Sequence, residues 1–109
     1  MEAQHMENGT YKYDLEMSTP LGKRRGNLEL IVWKDFLNGY LTMFTRTFPI
    51  REGKLDGSKV AFSGDMKTLM NMLPYKAQGT VSTSGITLTI ETNQGRYPVT
   101  GVLTEVRRD

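Results

Sequence analysis

The chain has 109 residues, enough for one domain around one thin core. It contains no cysteine and one histidine, His5, so it has no disulfide framework and no thiolate chemistry, and a Ser or Thr nucleophile lacks its usual base. Fourteen basic residues against twelve acidic ones give a net charge of +2, too mild to indicate nucleic acid as a bulk partner.

The N-terminal stretch is polar, without the basic-then-apolar order of a signal peptide. Residues 1–9 read as a disordered tail, and 10–107 as the folded domain. No apolar run approaches the roughly 18 residues of a membrane span, so no membrane partner is expected. Lack of cysteine suits a reducing compartment, and the expected location is cytoplasmic.

Alternation with period two runs through the rest of the chain and marks strands with one buried face. Tyr11, Tyr13, Leu15 and Met17 form the first inward set. Leu28, Leu30 and Val32 form the second, and Leu37, Gly39, Leu41 and Met43 the third. Two turns compete between the second and third strands. Asn38-Gly39 is the stronger local hairpin signal, but Lys34-Asp35 keeps Leu37, Gly39 and Leu41 in phase and is preferred. Ile50 and Leu55 belong to a poorer fourth strand, bulged near Gly53. Val60, Phe62, Gly64 and Met66 follow, then Tyr75, Ala77, Gly79 and Val81. Ile86, Leu88 and Ile90 make the seventh set, and Tyr97, Val99, Gly101 and Leu103 the eighth.

Breakers separate these sets. Thr19-Pro20-Leu21-Gly22, Thr68-Leu69-Met70-Asn71 and Thr92-Asn93-Gln94-Gly95 share a pattern of Thr, two variable residues, then a residue tolerant of positive φ. Asp56-Gly57 and Ser84-Gly85 supply other turns. Over 65–74, Met66, Leu69, Met70 and Leu73 have helical spacing. The match to the tip at 92–98, down to a proline six residues after each Thr (Pro74, Pro98), favours a hairpin. Eight short antiparallel strands in sequence order predict an all-β, up-and-down meander barrel, because closure removes exposed sheet edges. A β-sandwich is the alternative.

In such a meander alternate tips share a rim. Eight basic residues fall near one rim: Lys23, Arg24, Arg25, Arg46, Arg51, Lys67, Lys76 and Arg96, with Glu52 and Asp65 as the acids nearby. Arg25, Arg46 and Arg96 are the candidate anion-reading residues. Tyr13, Phe62, Tyr75 and Tyr97 point inward and are the candidate lumen-binding residues, since an inward tyrosine needs a partner for its hydroxyl. Ile31 and Trp33 are out of phase with the core and face solvent, beside Phe36 and Tyr40. They are candidate interface residues, with Val102 and Val106 on the outer phase of the last strand.

Gly9-Thr10-Tyr11, Thr19-Pro20-Leu21-Gly22, the run Asp56-Gly57-x-x-Val60-x-Phe62-Ser63-Gly64 and the run Thr92-x-x-Gly95-x-Tyr97-Pro98-Val99-x-Gly101 resemble small bacterial calycin-like (lipocalin-like) β-barrel domains of uncharacterised function. The resemblance covers residues 9–103. It implies the barrel fold and small-ligand binding, and it carries over no catalytic residue. The chain departs from the pattern at Asn71 and in a long third-to-fourth connection around Phe48-Pro49. The expectation is therefore a non-enzymatic barrel with no metal or cofactor. It would bind a small apolar or anionic ligand at a basic mouth or, alternatively, form a homodimer through the outward patch around Trp33.

Overall fold

The computed structural model describes residues 6–67 and 72–108. Within them the chain forms nine strands: β1 (Gly9–Thr19), β2 (Gly22–Trp33), β3 (Phe36–Met43), β4 (Arg46–Pro49), β5 (Arg51–Asp56), β6 (Lys59–Lys67), β7 (Met72–Val81), β8 (Gly85–Thr92) and β9 (Gly95–Arg108). All pairings are antiparallel. The order β2-β1-β9-β8-β7-β6-β5-β3, closed by β2 on β3, makes an eight-stranded up-and-down barrel, with β4 as one extra strand on β3. The sandwich alternative is therefore set aside. No helix among the described residues is long and apolar enough to cross a membrane.

Period-two alternation sorts the side chains. The inward sets from Tyr11 to Met43 are buried, as are Val60, Phe62, Met66, Tyr75, Ala77, Val81, Ile86, Leu88, Ile90 and Val99, and no polar or charged side chain among the described residues is. Each large apolar side chain so enclosed contributes on the order of 2 kcal/mol. The inward set of the last strand is less enclosed: Tyr97 and Leu103 pack on the core but remain partly open.

The second turn is Lys34-Asp35, with Trp33 paired to Phe36. Lys34 takes a left-handed φ of 58°, and its N–H donates to Asn8 Oδ1 at 2.8 Å, a partner 26 residues away that holds the strained residue. Met66 pairs with Leu73 and Lys67 with Met72, so the β6–β7 connection is a hairpin and these residues are not helical. The tip itself, 68–71, including the Asn71 departure, lies outside the described residues. Met6–Gly9, part of the expected tail, are engaged: Met6 packs on the core, and Glu7 forms a 2.9 Å ion pair with Arg108.

The third-to-fourth connection differs from expectation. It is the tight turn Phe44-Thr45, and Phe48 and Pro49 lie in β4 with Phe48 buried. Both turn residues have positive φ (55° and 62°), the twist a two-residue hairpin requires, reached here without glycine or asparagine. The stretch expected as the fourth strand is bulged near Gly53, as the sequence suggests: in β5 the register shifts between Arg51 and Lys54, with Glu52 at φ 54°. Above Arg51↔Ser63 no rung joins β4 to β6 among the described residues. The cause is Pro49. Ile50 N–H donates to Gly39 on β3 at 3.0 Å, so the nitrogens on either side face β6, and proline has no hydrogen to give.

A second correction concerns Val106. A bulge opposite Lys12/Tyr13 reverses the phase of β9, so Val106 pairs with the buried Tyr11 and packs on the core, whereas Val102 stays outside.

Candidate functional site

One rim of the barrel carries the β1–β2, β3–β4 and β8–β9 turns. Two of its tips repeat one device. Thr19 Oγ1 accepts the N–H of Leu21 (3.2 Å) and donates to Gly22 O (2.6 Å); Thr92 Oγ1 accepts from Gln94 (3.0 Å) and donates to Gly95 O (3.2 Å). Each hydroxyl satisfies backbone groups the turn leaves open, which fixes the edge of the mouth.

Register decides which cations face the mouth. Met17 pairs with Arg24 and Met43 with Arg46, so these two arginines share the inward phase, each beside a buried methionine across the ladder. Among the described residues neither has a carboxylate within ion-pair distance. Arg25 pairs with Glu16, and Arg96 with Glu91, on the outer wall. Arg96 is ion-paired to Glu91 at 3.0 Å, Lys23 to Glu16 at 3.3 Å and Arg51 to Asp65 at 2.9 Å. Of the three candidate arginines, Arg46 alone lies in the inward phase. Arg24 was not singled out from the sequence, although counting back in twos from Leu28 through Gly26 reaches it. Glu16 and Glu91 belong to the site only because register sets them opposite arginines.

The inward aromatics divide. Phe62 and Tyr75 meet edge to face, with centroids 6.1 Å apart at 87°. The end of the Tyr75 ring lies over Gly64, where a Cβ would sit 2.8 Å from the hydroxyl oxygen. Tyr75 is 3% exposed, and among the described residues its hydroxyl has no hydrogen-bond partner. Burial pushes its pKa up; Arg51 pulls it down and Asp65 raises it. Tyr97, partly buried, is cross-strand from Ile90 on the same half of the wall, with its hydroxyl near Gly95. Tyr13 is buried, and its pKa is pushed up to about 12 by desolvation and then by Tyr11. With Tyr11 it lines a cavity of about 140 Å³ at the opposite end, beside Met6, Leu103 and Val106. There Tyr11 donates to Glu7 O at 2.7 Å.

Ile31 is half-buried and Trp33 exposed on the outer face of β2; Trp33 sits directly across from Phe36.

No family model, no curated protein and no solved structure matches this chain. The closed antiparallel barrel is compatible with a calycin-like fold.

Proposed function

We propose that this barrel is a non-catalytic binding module of calycin-like type, taking a small, partly apolar molecule with one anionic or hydrogen-bond-accepting group at the mouth. The observation that carries this reading is the Tyr75 hydroxyl. A buried donor without a partner costs on the order of 1–3 kcal/mol, and a ligand acceptor would relieve that cost. The unpaired Arg24 and Arg46 give the reading its charge preference: two guanidiniums above an apolar floor suit a carboxylate or phosphate on a greasy body. Phe62 and Tyr97 would flank the ligand, and Arg25 and Arg96 would add to the field from outside.

Tyr75→Phe separates this reading from a merely tolerated hydroxyl. Without ligand the variant is expected to be about 1–2 kcal/mol more stable, because the orphan group is gone. In calorimetric titration with a medium-chain alkyl carboxylate, it should bind at least tenfold more weakly than the parent. Loss of stability on Tyr75→Phe, or equal binding by both proteins, overturns the proposal.

A further inference from the structure

We infer that the outer face of the β2–β3 hairpin is the contact surface of a homodimer. The inference is independent of the mouth and rests on the opposite side of the wall. Trp33 and Phe36 form a directly opposed cross-strand pair in the outward phase, 55% and 63% exposed. Tyr40, on the same face of β3, is 47% exposed. Ile31, two residues before Trp33, lies half-buried between Thr10 and Asn38 and joins the aromatics into one surface. Scattered exposed apolar residues are ordinary, but three aromatics on one hairpin face are the composition of an interface centre.

The hairpin is also pre-shaped. Lys34, held in its left-handed turn by Asn8, places its ammonium 5.9 Å from the Trp33 ring centroid, so the indole lies under a cation.

A second copy of this chain fits the face better than a surface of one charge. The perimeter carries both signs: Lys12 is paired across the ladder with Glu29, Lys54 stands beside Phe36, and Lys34 adjoins Asp35 at the tip. A copy brings the same mixture, so cations can meet acids across a two-fold axis. The area agrees. The exposed parts of three aromatics come to roughly 300 Å², from the usual burial of such side chains. With Ile31 and the lysine stems, each copy supplies about 500 Å², the lower limit for a specific interface. The dimer is accordingly reversible, with a dissociation constant in the micromolar range.

Trp33 is the sole tryptophan, so its emission reports on this face alone. Sedimentation of the full chain from about 1 to about 200 μM should show a monomer–dimer equilibrium. Over the same range the emission should shift to the blue and become shielded from a soluble quencher. Phe36→Ala keeps the reporter, and should raise the dissociation constant at least tenfold while holding the emission at its dilute value. Thr87→Ser, on β8 away from the hairpin, should change neither readout. Both substituted residues are exposed, and an unchanged urea midpoint confirms the fold.

A protein that stays monomeric at the highest concentration with constant emission overturns the inference. A dimer indifferent to Phe36→Ala does so too, because its interface lies elsewhere. An emission shift seen only with phosphatidylglycerol vesicles, without self-association, would assign the face to a lipid surface and equally overturn it.

Discussion

Tyr13 gives the barrel an alkaline limit. Its phenol has a pKa near 10 in the unfolded chain and about 12 when folded, chiefly because burial disfavours the phenolate. The folded state thus holds this proton more tightly, and the difference leaves stability untouched below about pH 10. As the pH rises from 10 towards 12, stability falls by an amount of order 2 kcal/mol. Urea midpoints measured either side of that window check the sign; Tyr13→Phe should remove its share of the fall, leaving that of Tyr75, whose pKa burial also raises. At this scale the sequence was informative about direction only. Inward tyrosines were legible from alternation with Lys12, Asp14 and Glu16. That Tyr75 lacks a partner among the described residues while Tyr11 reaches Glu7 depends on where each ring comes to rest against neighbours from other strands.

At the scale of the elements, the Thr-x-x-Gly tips make a specific claim. Each hydroxyl closes two backbone hydrogen bonds, so Thr19→Ala and Thr92→Ala should each cost about 1 kcal/mol. They share no partner, and the double variant should lose the sum; urea unfolding of the three proteins measures it. A double loss well short of that sum would mean the hairpins are coupled through the mouth. The tips were readable because threonine and glycine have local reasons to be there. Phe44-Thr45 was not, because two non-glycine residues at positive φ leave no compositional mark; the flanking ladder imposes the twist. Val106 escaped for a related reason: one extra residue in β9 reverses its phase, and nothing in the sequence around Thr104 announces the bulge.

For the whole molecule, closure turns local alternation into a site. The barrel was legible because eight inward sets separated by turn signals admit few other arrangements. The composition of its mouth was only half legible. Clustering of arginines followed from the meander, but the division into Arg24 and Arg46 above the lumen and Arg25 and Arg96 on the wall followed from register. The same register leaves the β2–β3 aromatics without a covering layer, since a single barrel has nothing to pack on its own exterior.

Pro49 leaves one consequence of its own. Where β4 is stitched to β3 but not to β6, the cylinder has a slit, bounded by Phe48 within and by Arg46 and Arg51 along its margins. Alternation turns the Thr47 amide towards that slit and those of Phe48 and Ile50 towards β3. Deuterium should therefore replace the Thr47 proton orders of magnitude sooner than the Ile50 proton, through an opening much smaller than global unfolding. Local opening of the barrel should therefore begin at this one stitch, where an ion pair between Arg51 and Asp65 stands in for the missing rung.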